Sequence, residues 1–322
     1  MEKLNYRRTF FIGLAFLSIC AFWQMYDNII PLILQNTFHL NETFTGAIMA
    51  ADNILAVFLL PFFGTLSDKA NTRLGKRTPF IIVGTVVAVV FLMMLPFADK
   101  NQNFVMFVAG LAVLLVAMGF YRSPAVALMP DLTPKSLRSK ANAVINLMGA
   151  IGGVYTLLLI RFLVKGGKRP DYTAVFAGVA FLMAAAVILL VLTVREKKIA
   201  AEIEKEEIQE EELAGETITQ NTKELPKPVK KSLYMILLSI FFWFAAYNAV
   251  TTAFSRYAVK VWGLEGGGFA DCLMVATVAA IFSYIPIGMI SEKFGRKKCI
   301  QGGLVLLLIS YLSAAFFPTY HP

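Results

Sequence analysis

Two histidines and three cysteines in 322 residues leave little material for metal or nucleophile chemistry. Cys20, Cys272 and Cys299 lie far apart, in or beside apolar runs, so neither a metal spacing nor a disulfide framework can be built from them. His39 and His321 fall outside those runs. No Ser–His or Cys–His arrangement and no glycine-rich nucleotide loop is present, so the chain does not read as an enzyme and calls for no cofactor. Charge is scarce too, at 16% of residues against roughly 25% in soluble domains. In its place the chain is 57% hydrophobic, in runs of about 20 residues that no water-soluble fold could hide.

Nine such runs follow in order, at roughly 10–34, 44–66, 78–97, 104–129, 141–160, 172–194, 232–255, 269–290 and 299–317. Each can cross a hydrocarbon core of about 30 Å at 1.5 Å per residue, some with tilt. The first is too long for a signal peptide and leads into further spans, so it reads as a retained helix. The net charge of +9 is topological, not a nucleic-acid groove. With the N-terminus inside, 22 of the 30 Lys and Arg fall in inner segments and seven in outer ones, Arg122 being left within a span. This predicts a multi-pass protein of the cell membrane with a cytoplasmic N-terminus. Residues 195–231 hold ten of the 21 acids and few apolar residues, and read as a charged cytoplasmic tether.

The stretch PFFGTLSDKANTRLGKRTPF (61–80) has a compact second copy, PIGMISEKFGRKK (286–298), at an offset of 224 residues. That offset lays Gly64 on Gly288, Gln24 on Asn248 and Asp27 on Thr251, so the chain is built from two similar halves. We expect an all-α membrane protein, a two-half helical bundle of the major-facilitator kind. Residues 1–194 form a complete six-helix half, 195–231 the linker, and 232–322 only three helices of the second half. A complete molecule of this kind has twelve spans, so the sequence reads as truncated after nine.

SDKANTRLGKRTPFI, RSPAVALMPDLTPKSLRSKANAVINLMGAIGG and, more weakly, WFAAYNAVTTAFSRY resemble the glycoside–pentoside–hexuronide:cation symporters, and among them the sucrose:proton branch. The resemblance implies coupled movement of a small-molecule sugar across the lipid bilayer, by a protein that is a monomer when full length. It departs from the sodium-coupled branch. Where that branch has two carboxylates one turn apart in the second helix, this chain has Ala56 and Leu60, with Asp52 a turn earlier. Protons are therefore the expected coupling ion.

A carboxylate in hydrocarbon is expensive and usually lines a pathway. Asp27 and Asp52 both lie roughly 10–12 Å below the outer edge of their helices. Gln24, Asp27, Asn28 and Pro31 share one helical face, a polar stripe suited to sugar hydroxyls, and Asn53 adjoins Asp52. Arg122 is the one cation inside a span. It can snorkel, or pair with Asp27 or Asp52. Asn142 and Asn146 are either helix glue or sugar contacts, and Gly149, Gly152 and Gly153 suit close helix packing. Tyr247, Asn248 and Thr251 are further candidate sugar contacts, and Trp23, Trp243 and Tyr121 are stacking platforms or packing. Gly64, Asp68, Arg73, Gly75 and Arg77, with Gly288, Glu292 and Arg296, are read as gating residues. Ion pairs from Asp68 and Glu292 would lock the two halves at the cytoplasmic face, or the charges only anchor topology. Other readings stay open: the same fold moving a lipid-like or other organic solute, or a glycoside receptor that does not transport.

Overall fold

The computed structural model describes residues 4–167, 169–214 and 227–316, and among them it is built from α-helices. They are α1 (Tyr6–Asn36), α2 (Glu42–Asp68), α3 (Thr78–Lys100), α4 (Phe104–Asp131), α5 (Arg138–Leu163), α6 (Thr173–Thr193), α7 (Glu196–Ala214), α8 (Lys227–Trp262), α9 (Phe269–Phe294) and α10 (Arg296–Phe316). Seven of these, α1 to α6 and α8, are long and apolar enough over their described residues to cross a membrane; the described apolar part of α9 runs over Phe269–Ser283. The chain is a multi-pass membrane protein. The α2–α3 and α4–α5 connections and the start of α7 lie at the N-terminal face, and the α1–α2, α3–α4, α5–α6 and α8–α9 connections lie at the opposite one.

Asparagine starts three of the helices. The side chains of Asn5, Asn41 and Asn103 accept the N–H groups of Arg8, Phe44 and Met106 at 2.9–3.0 Å, covering donors that a helix start leaves free. Residues 37–41 and 101–103 then connect antiparallel neighbours.

Helix α1 is the axis of the first half and packs on α4, α5, α6 and α8. Lipid tails are as apolar as leucine, so helices in a membrane associate through close approach and interhelical hydrogen bonds. Both are present. A Cβ at Gly152 of α5 would overlap the Leu17 carbonyl of α1, and one at Gly149 would crowd Cys20. Thr156 donates to the Ala21 carbonyl at 2.9 Å, and the Tyr121 hydroxyl donates to the Ala15 carbonyl at 2.9 Å while sharing a short bond with Ser18. Tyr121 is fully buried in that network, so it is a packing residue and not a stacking platform.

In the second half, burial is lopsided. Residues 229–247 of α8 are exposed almost throughout, whereas Ser255, Arg256 and Ala258, near the opposite face, are buried. The two halves meet at that face and diverge toward the N-terminal one.

Candidate functional site

Midway through the first half, Arg122 and Asp52 meet at one indole, with Asp27 nearby. The Arg122 guanidinium stacks over the Trp23 ring, 5.5 Å from its centroid. Trp23, Asp52 and Arg122 line a cavity of about 20 Å³ with Ala56 and Gly119, room for one water molecule. Asp27 lies within electrostatic reach of both Asp52 and Arg122, yet among the described residues Arg122 forms no direct ion pair with either acid. The snorkelling alternative for Arg122 is replaced by a stack on α1.

The other sequence candidates divide. Asn53 is exposed and donates to the Asp52 carboxylate at 2.9 Å. Asn28 is buried and gives its amide to the Gln24 carbonyl of its own helix at 2.9 Å, while Gln24 is half-buried with its side-chain oxygen facing Gly153 of α5. Asn142 and Asn146 are exposed on α5. On α8, Tyr247 stacks with Trp243 at 5.7 Å on the exposed stretch, Asn248 is half-buried, and the Thr251 hydroxyl donates to the Tyr247 and Asn248 carbonyls.

The motif at the N-terminal face forms a closed joint. Arg77 is 5% exposed. Its Nε donates to Asp131 at 2.8 Å, and its terminal nitrogens bond Asp68, Ser67 Oγ and the Gly64 carbonyl. One guanidinium thus ties the end of α2 to the end of α4. Beside it the Glu196 carboxylate, buried at the start of α7, accepts the backbone N–H groups of Lys76, Arg77 and Thr78 and the Thr78 hydroxyl, at 2.6–2.9 Å for the shortest bonds. A carboxylate on the first amides of α3 is favoured by hydrogen bonding and by the helix dipole. Gly75 makes room for it: its φ is +115°, and a Cβ there would overlap the Glu196 carboxylate. The stretch expected to be a tether therefore begins as a docked helix.

Sequence reasoning missed Asp131 and Glu196. Asp131 was visible at the end of RSPAVALMPD, but Glu196 carries no signal as one of ten acids in residues 195–231. The partners of Asp68 and Arg77 lie within the first half, Arg73 is exposed, and the expected bridge to the second half is not among their described contacts. The side chains at Glu292 and Arg296, and Gly288 beside them, lie outside the described residues.

Ion pairs between the halves occur at the opposite face instead. Glu42, at the start of α2, pairs with Arg256 at 2.6 Å and Lys260 at 2.7 Å on α8. Arg161 of α5 pairs with Asp271 of α9 at 2.9 Å. Next to them a Cβ at Gly266 or Gly267 would overlap the backbone of Gly166 or Ile160, and both have positive φ, +60° and +78°, which favours glycine.

Comparison with known proteins agrees with this architecture. The chain is 26% identical over 151 residues to the sucrose transport protein SUC3 of Arabidopsis thaliana, covering 41% of this chain and 25% of that one. It is 24% identical over 238 residues to the general alpha-glucoside permease of Schizosaccharomyces pombe, covering 66% and 42%. It is 28% identical over 195 residues to the proline/betaine transporter of Escherichia coli K12, covering 59% and 36%. The matches thus span between a quarter and about two-fifths of the length of these relatives, all of them named as transporters or permeases and none as an enzyme. A family model described as Major Facilitator Superfamily matches residues 12–322, nearly the whole sequence, and the chain accordingly belongs to the major facilitator superfamily.

Proposed function

We propose that this protein takes up a glycoside or disaccharide of the sucrose or maltose kind together with protons, by alternating access. The observation that carries the reading is the meeting of Asp52 and Arg122 at Trp23 in mid-bundle, with Asp27 within electrostatic reach of both. Two carboxylates and one guanidinium leave one negative charge in a place where charge is expensive, and a single proton makes the cluster neutral. Binding of one proton therefore lowers the cost of closing hydrocarbon around the site. Gln24 and the carboxylate oxygens supply acceptors for sugar hydroxyls. The absence of a second helix-2 carboxylate at Ala56 or Leu60 speaks for protons over sodium. Two further considerations support the sugar: the resemblance of the three sequence blocks, and relatives named for sucrose and alpha-glucosides.

The excess of Lys and Arg on the N-terminal side supports a cytoplasmic N-terminal face, and the resemblance supports a protein of the cell membrane that is a monomer when full length. The Glu42 and Asp271 pairs then close the bundle on the outer side. The match to proline/betaine transporters favours a second reading, a small zwitterionic solute moved by the same cluster.

Uptake of radiolabelled sucrose and maltose by cells producing the protein, with an inward proton gradient, tests the first reading. Accumulation should collapse with a protonophore and disappear in Asp27→Asn and Arg122→Ala variants that still reach the membrane. Normal uptake by Arg122→Ala would sink the role of the cluster. Competition by betaine without sugar uptake would favour the second reading, and sugar binding without uptake would favour a receptor.

A further inference from the structure

Between α3 and α6 lies an apolar groove of about 370 Å³ that transport does not use. Ile82, Val86 and Val90 form one wall and Val187, Ile188 and Leu192 the other. Val86, Val90, Ile188 and Leu192 are each more than half exposed, because α3 and α6 pack on α1, α4 and α5 and turn this side away from the bundle. The walls run over residues 82–90 and 184–192, about 12 Å each, close to one leaflet of a hydrocarbon core about 30 Å thick. Since α3 begins and α6 ends at the N-terminal face, the groove occupies the leaflet on that side.

Its mouth is cationic. Ile82 and Leu192 each sit one helical turn from the junction where Glu196 meets the first amides of α3. Glu196 is spent on those amides, and the residues flanking it, Arg195 and Lys197, are exposed and pair with no carboxylate among the described residues. Lys76 adds a third charge, loosely held by Asp131 at 3.8 Å, and Lys198 a fourth, paired with Glu202 at 3.8 Å. A second copy of the chain seated here by two-fold symmetry would bring the same cations face to face. An acyl chain with a phosphate at its end matches both parts of the site.

We propose that the α3–α6 groove and its cationic mouth bind an anionic phospholipid of the leaflet at the N-terminal face, with an acyl chain between Val86 and Ile188 and the phosphate at Arg195 and Lys197. The site is independent of which solute is transported. Native mass spectrometry of the whole protein, titrated in detergent with phosphatidylglycerol or with phosphatidylcholine of the same chains, reads the preference. Phosphatidylglycerol should be retained at least fivefold better. Each cation removed should weaken it about fivefold, so Arg195→Gln/Lys197→Gln should bring it to the phosphatidylcholine level. Ala184→Leu, which narrows the groove, should weaken both lipids. Equal retention of the two lipids, or an unchanged double variant, overturns the proposal. If the variants do not fold, the unaltered protein decides: phosphatidylglycerol with a photoreactive acyl chain should label α3 and α6 around Val86 and Ile188. Labelling spread evenly to Val105 and Phe162, or a dimer that shields the groove, overturns it as well.

Discussion

At the N-terminal face Arg77 is 5% exposed and its two carboxylate partners, like the buried Glu196 next to it, belong to the first half. At the opposite face Glu42 has a side chain 60% exposed, and its two cations belong to the second half. Both guanidiniums are buried, and Asp68 is as exposed as Glu42. The difference lies in the further carboxylates of the first joint, Asp131 with its side chain 23% exposed and the buried Glu196, for which the opposite face has no counterpart among the described residues. Removing one member of a buried network strands the others without water, at about 3–5 kcal/mol. The Glu42 carboxylate stands mostly in solvent, so its pairs are screened and contribute about 0.2–1 kcal/mol. Strong contacts inside a half keep it rigid, and weak contacts between halves let them separate.

The contrast can be broken by substitution. Arg77→Ala should have the largest effect, about 3–5 kcal/mol of stability, because Asp131, Asp68 and Ser67 lose a shared donor. A melting temperature in detergent close to that of the unaltered protein would mean the joint is not a structural one. Glu196→Gln should cost less, about 1–3 kcal/mol, since an amide oxygen still accepts from α3 but without charge. The check is proteolysis of the linker, which should quicken as α7 undocks.

Glu42→Gln should leave melting nearly unchanged and shift the two-state balance by about 0.5–1 kcal/mol, roughly two- to fivefold. Alkylation of a cysteine placed at Asn36, beside the contact between the halves, should speed up by that factor. A large loss of stability here would erase the distinction between the faces. The smallest effect belongs to Asp171, held below the usual carboxylate range by hydrogen bonds from Thr173 and by Lys100. Its contribution is present above the unfolded value of about 3.9 and fades as pH falls through the lower folded value. Asp171→Asn should therefore cost a little stability at neutral pH, flatten the slight acid destabilisation, and have no effect below the folded value.

How much of the site was legible follows from the kind of signal each residue carries. Asp27, Asp52 and Arg122 stood out because a charge within an apolar run has few other reasons to be there. Gly75 and Arg77 stood out because their motif recurs. Asn28 matched the same helical face as Asp27 but is buried against its own helix, a difference that face periodicity cannot express. Glu196 was invisible: its role depends on the amides of residues 76–78, about 120 positions away in sequence.

By itself the sequence determined that the chain is helical and spans a membrane, the order of the apolar helices and the charge asymmetry, since each rests on local composition and on the cost of polar backbone in hydrocarbon. Against the nine runs read from it, seven helices are long and apolar enough to cross among the described residues, and α7 stands where a tether was expected. Tertiary structure alone decided which charges meet. The sequence showed Asp68 and Arg77 within reach of each other, but only packing assigned that guanidinium also to Asp131, Arg122 to Trp23 and Glu42 to Arg256. The physical reason is that an ion pair is set by a few ångströms of distance and by burial, and neither is a property of any local stretch of chain.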